Sequence, residues 1–211
     1  MEFSGVSGML IMSLSYEEFS SQAREFQEIA ESLDDGWRLK GASDGKHYLY
    51  KTQYYTPPQV LNPCNADCSR EQSVGATDSQ VRESHEDGQQ TFVWEYNIVY
   101  SVSYEVPALY FNVFKLGCAA PLSLDEVWDF CRLFGAPFGM NAEDLWSTVT
   151  QQEHPSTGVP NFALHPCNTQ RMMQHLLNSL HFEKKNYLIT WLSSVGPIVG
   201  IRMANAYCPA L

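Results

Sequence analysis

The sequence is poor in cations. Thirteen Lys and Arg stand against 24 Asp and Glu, a formal net charge of −11 over 211 residues. A field of that sign repels phosphate backbones and anionic bilayers, and no Lys/Arg cluster forms a phosphate-binding stripe. Nucleic acid is excluded as a partner, and basic patches on other proteins are favoured.

Long apolar runs are scarce too. Residues 1–15 (MEFSGVSGMLIMSLS) are mildly apolar, lack a positive leading region and run into Tyr16-Glu17-Glu18, so they do not read as a signal peptide. Tyr187 to Ile201 is too short to span a bilayer and contains Gly196-Pro197. The expectation is a cytoplasmic protein without stable membrane insertion, its six cysteines reduced. There is no glycine-rich phosphate loop, no G-x-S-x-G elbow and no internal repeat. Cys64 and Cys68 form a C-x3-C pair with His85 downstream, but no second pair completes a four-ligand zinc set. No metal and no cofactor are expected.

What is present suits one domain over residues 1–211, at 44% hydrophobic content. Ser15 and Glu18 form a capping box, and Phe19, Ala23, Phe26, Ala30 and Leu33 recur at helical spacing up to Asp34-Asp35-Gly36. Trp37 to Lys40 and Lys46 to Tyr55 read as paired strands. Residues 56–90 are rich in Pro, Ser, Gln, Asn and acids, and read as a flexible surface insertion. Thr91 to Tyr104 and Ala108 to Leu116 are dense in aromatic and β-branched residues and form a central hairpin, interrupted by Glu105-Val106-Pro107.

A second capping box, Ser123 with Glu126, opens a helix to Phe134, with Leu124, Val127, Cys131 and Phe134 on one face. Residues 142–152 hold a short helix and then a strand. A third helix starts near Asn168 or Thr169, reaches about His181 and turns Met172, Met173, Leu176, Leu177 and Leu180 inward. A fourth, Asn186 to Val195, ends at Gly196-Pro197. Helix, antiparallel strands, then helices make an α+β pattern.

Cys167 sits in the stretch FALHPCNT, just before a helix N-terminus, where free N–H groups and the macrodipole favour a thiolate. His165 lies two residues away and Pro166 stiffens the approach. These residues describe an activated thiol, and equally an inert cysteine in a turn. Cys131 reads as core, Cys118 as a turn residue and Cys208 as part of the C-terminal end. His154 reads as a turn residue and His175 as solvent-facing.

TVTQQEHP (Thr148 to Pro155), FALHPCNT (Phe162 to Thr169) and YLITWLSSVGPIVG (Tyr187 to Gly200) together resemble the autophagy-related E2-like conjugating enzymes that join ubiquitin-like autophagy protein twelve to autophagy protein five. WEYNIVYSVSYEVPALYF and PLSLDEVW fit the central hairpin and following helix of that family. The resemblance covers most of Thr91 to Ile201.

It implies a ubiquitin-conjugating-enzyme-like fold, an antiparallel sheet with helices packed on it. It implies that Cys167 takes the C-terminal glycine of the modifier as a thioester from an activating enzyme (autophagy protein seven), and that a lysine of protein five then attacks. Catalytic roles carry over to His165 and, in the central hairpin, to Tyr104. The His-Pro-Asn triplet of ordinary ubiquitin-conjugating enzymes is missing: Glu153-His154-Pro155-Ser156 stands instead, so the oxyanion group is open. Three other readings are a sister-type enzyme acting on phosphatidylethanolamine, an inactive interaction module, and a cysteine hydrolase with a distant histidine. The first requires a membrane-seeking N-terminal helix, which the acidic face of Tyr16 to Leu33 opposes.

Overall fold

A computed structural model describes residues 13–42, 45–58, 90–135, 148–179 and 186–207. Its elements in chain order are α1 (Tyr16–Ser32), β1 (Arg38–Gly41), β2 (His47–Tyr55), β3 (Phe92–Ser101), β4 (Val106–Lys115), α2 (Leu124–Gly135), β5 (Val149–Glu153), β6 (Pro160–Leu164), α3 (Thr169–Ser179) and α4 (Tyr187–Val195). The expected insertion at 56–90, the expected helix in 142–147, and Cys64, Cys68, His85 and Cys208 fall almost wholly or wholly outside the described residues.

The six strands form one sheet in the order β1-β2-β3-β4-β6-β5, and every neighbouring pair is antiparallel. Register fixes which side is core. Trp94 opposes Val113, Tyr96 opposes Phe111 and Ile98 opposes Leu109, and all six are buried on the face that carries the helices. This is the α+β, E2-like architecture expected from the sequence.

Helix α1 begins as the capping box dictates: Glu18 N–H donates to Ser15 Oγ at 3.2 Å, and Ser15 N–H to Glu18 Oε2 at 2.8 Å. Phe19, Ala23, Phe26 and Ala30 are fully buried, while Glu17, Glu18, Glu25, Glu28 and Glu31 stay exposed. The apolar face of α1 is therefore spent on the core. Helix α2 is boxed in the same way by Ser123 and Glu126. It buries Val127 and Cys131 as anticipated, and also Trp128 and Phe130. Burial pushes the Cys131 thiol up to about 12, which makes it a packing residue.

Two expectations are corrected. The hairpin breaks earlier than expected: β3 ends at Ser101, residues 102–105 turn, and Val106 and Pro107 belong to β4. Pro107 is tolerated because β6 pairs only with Tyr110 and Phe111, leaving β4 unpaired on its other side at this end. The strand β6 was not anticipated; it is short and starts on Pro160. Helix α4 ends at Val195 with Gly196 as its cap, as expected, and the chain goes on as a 3₁₀ turn, Gly196–Val199, closed by left-handed Gly200. That turn is bound to the sheet by Tyr96 Oη, which donates to the Val199 carbonyl at 2.7 Å.

Candidate active site

Strand β6 delivers the candidate residues. His165 follows it directly, and its N–H donates to the Thr148 carbonyl at 2.8 Å, holding the chain against the start of β5. Residues Pro166–Asn168 then form a 3₁₀ turn that leads into α3. Proline suits the first position of that turn, where no N–H is needed. Cys167 lies in the turn and is exposed.

The free N–H groups expected before α3 are partly consumed. Cys167 N–H donates to His165 Nδ1 at 3.2 Å, and Thr169 N–H to the Pro166 carbonyl. His165 is thus the cap of the turn that carries the cysteine. With Nδ1 accepting, a neutral His165 bears its proton on Nε2. Its remaining capacity is that of a donor at Nε2.

Tyr104 comes from the other side of the sheet's central hairpin. It does not end a strand, as the sequence had implied, but lies in the turn 102–105. That turn places its ring edge-on to His165, with centroids 5.7 Å apart at 76°. The phenol remains 40% exposed. Two contacts hold the turn: Leu14 N–H donates to the Glu105 carbonyl at 2.8 Å, and Gln170 Nε2 to the Tyr104 carbonyl at 2.8 Å. Glu105 itself adopts φ +50°, a conformation that a tight turn imposes. The β3–β4 turn thus brings Tyr104 to His165, and the β6–α3 connection brings His165 to Cys167.

Gln170 escaped the sequence analysis. Nothing in a glutamine at the second residue of a helix announces a partner 66 residues upstream. His154 was underrated. It does sit in the β5–β6 turn, where its N–H and carbonyl bond Val159, Thr157 and Gly158. Its ring, however, is only 2% exposed, wedged between Tyr48 (5.2 Å) and Tyr110 (5.4 Å) on the sheet's second face. Nδ1 accepts from Ser156 N–H at 3.1 Å, and burial lowers its pKa from 6.5. It holds the hairpin that ends in His165.

Two recesses adjoin the site, and His165 lines both. The larger, about 410 Å³, is mixed: Tyr104, Ser101, Ser103, Gln152 and Ser156 line it together with Lys46, His47, Val99 and Ala108. The smaller, about 140 Å³, is lined by Cys167 and by Leu164, Met172, Trp191, Val195 and Ile198.

An antiparallel sheet backed by helices, with an exposed cysteine on the turn after its sixth strand, defines the class of E2-like conjugating enzymes. Similarity to known proteins agrees. The family described as "Autophagocytosis associated protein, active-site domain" matches residues 18–205. The chain is 32% identical over 215 residues to the ubiquitin-like-conjugating enzyme ATG10 of Homo sapiens, covering 91% of each chain. It is 35% identical over 121 residues to the ATG10 of Dictyostelium discoideum, covering 53% of this chain and 52% of that one. Against the ATG10 of Arabidopsis thaliana it is 36% identical over 115 residues, covering 52% and 50%. The chain belongs to the ATG10 family of ubiquitin-like-conjugating enzymes, transferases of autophagy.

Proposed function

We propose that Cys167 accepts the C-terminal glycine of autophagy protein twelve from its activating enzyme, autophagy protein seven, and delivers it to a lysine of autophagy protein five in the cytoplasm. In the first step the Cys167 thiolate attacks the glycine carbonyl of the thioester on the activating enzyme. A new C–S bond forms, the old one breaks, and the activating enzyme's thiolate leaves. In the second, a neutral lysine amine attacks the same carbonyl. A C–N bond forms, the Cys167 thiolate departs, and the amine loses its proton. A thioester retains acyl-transfer potential, and among side chains cysteine alone forms it.

The observation that carries this reading is an exposed cysteine on a turn capped by its own neighbour, His165. With Nδ1 engaged, His165 offers an Nε2 proton to the oxyanion of each tetrahedral intermediate, the part that the missing His-Pro-Asn asparagine would take. In this reading Tyr104, which lines the larger recess beside His165, receives the lysine. The fully buried apolar face of α1 disfavours the lipid-directed alternative, which requires a membrane-seeking helix at that end. Among the described residues no helix is long and apolar enough to cross a membrane.

The test is a non-reducing gel with activating enzyme, ATP and modifier twelve. A reductant-sensitive adduct on wild type, absent from Cys167→Ala, supports the acyl-carrier role. An adduct that persists in Cys167→Ala, with the fold intact, sinks it.

A further inference from the structure

Two recesses flank His165, and of the two it is the smaller that Cys167 lines. Among the described residues no Asp, Glu, Lys or Arg lines it; its walls are mainly Leu164, Met172, Trp191, Val195 and Ile198, from β6, α3, α4 and the 3₁₀ turn after α4. Leu164 and Trp191 are almost wholly buried, while Met172, Val195 and Ile198 are half-buried, so the recess is open to a side chain entering from the cysteine. Its volume of about 140 Å³ is close to the roughly 150 Å³ of an apolar protein cavity that holds a benzene ring. It fits one aromatic or branched side chain.

We infer that this recess is the subsite for the residue preceding the modifier's C-terminal glycine, and that it selects a large apolar side chain there. The inference rests on the reading of Cys167 as the acyl carrier. When the glycine carbonyl is bonded to Cys167 Sγ, the preceding residue's Cα lies about 3.8 Å from the glycine Cα, so its side chain falls within reach of a recess that Cys167 walls.

The subsite is tested without the activating enzyme, whose own selectivity would confuse the result. Short peptides ending in glycine, made as mercaptoethanesulfonate thioesters, are offered to wild-type protein with Phe, Leu, Ala or Asp before the glycine. The Cys167 thiolate attacks the glycine carbonyl, a C–S bond to Cys167 forms and the mercaptoethanesulfonate leaves as its thiolate; mass spectrometry follows the adduct. Phe and Leu peptides are expected to react at least about tenfold faster than Ala, as burial of one apolar side chain commonly discriminates, with Asp slowest. Val195→Trp and Ile198→Trp, each checked for fold by thermal melting, are expected to shrink the Phe-to-Ala rate ratio toward one. Rates within about twofold across the peptides, or a ratio untouched in both folded variants, would overturn the subsite while leaving Cys167 as acyl carrier. If neither the peptide thioesters nor modifier twelve carried as a thioester on the activating enzyme acylates Cys167, the proposed function fails and the subsite falls with it.

Discussion

Gln170 Nε2 donates to the main-chain carbonyl of Tyr104 at 2.8 Å, tying the first turn of α3 to the tip of the central hairpin. The bond joins the element that follows Cys167 to the one that carries the tyrosine. Severing it by Gln170→Leu removes a partly exposed hydrogen bond, so the stability loss should be about 1 kcal/mol or less. Thioester formation should survive, whereas discharge to lysine should slow by up to about tenfold, because Tyr104 loses its fixed position relative to His165. Single-turnover discharge of preformed thioester reads this directly. An unchanged discharge rate would show that the tether is only structural.

His154 gives the fold a pH dependence of known sign. Burial lowers its pKa in the folded protein below the ordinary 6.5, so the unfolded chain binds the proton more readily. The contribution of neutral His154 is complete above about pH 6.5 and is lost as pH falls below that value toward the lowered folded pKa. Thermal melts at pH 7.5 and 5.5 should therefore show a larger drop for wild type than for His154→Gln. Equal drops would mean that the ring does not remain neutral between Tyr48 and Tyr110.

Asp35 holds two groups at once: Lys51 Nζ at 2.6 Å on Oδ1, and the Tyr207 hydroxyl, which donates to Oδ2 at 2.6 Å. Lys51 is largely buried and also lies over the Trp37 ring. Asp35→Ala strands that ammonium, and urea titration should report a loss of about 3 kcal/mol. Asp129→Ala, which breaks an exposed i,i+3 pair with Arg132 on α2, should cost under about 1 kcal/mol. Similar losses for the two would contradict the burial of the Lys51 site.

Gly200 and Gly117 separate strain from crowding. Both have positive φ, +80° and +85°. A Cβ on Gly200 would come within 2.8 Å of the Phe134 ring, whereas one on Gly117 would meet nothing within 4 Å. Gly117→Ala should cost about 1 kcal/mol of backbone strain. Gly200→Ala should cost about 2–3 kcal/mol, because the ring must also shift in a packed core. Equal values by denaturant titration would show that Phe134 moves freely.

Local signals carried much of this reading. Ser15 with Glu18 and Ser123 with Glu126 start helices where the sequence says, because a capping box needs only four consecutive residues. The alternation through Phe92 to Ile98 marks a core strand for the same reason: side chains alternate faces along a strand. Cys167 and His165, two residues apart, were legible as candidates. Boundaries set by neighbours were not: the early end of β3 and the existence of β6 depend on partners elsewhere in the chain.

Sequence by itself determined the acidic character, the capped helices, the aromatic strands and the residue types that meet at the candidate site. Those follow from charge, from periodicity and from bonds between near neighbours. Tertiary structure alone decided that His154 is buried, that Gln170 reaches Tyr104, that α1 spends its apolar face inward, and that Trp191 and Ile198 wall a recess beside Cys167. Each of these joins segments distant in the chain, and no local pattern encodes a contact whose two halves are specified so far apart.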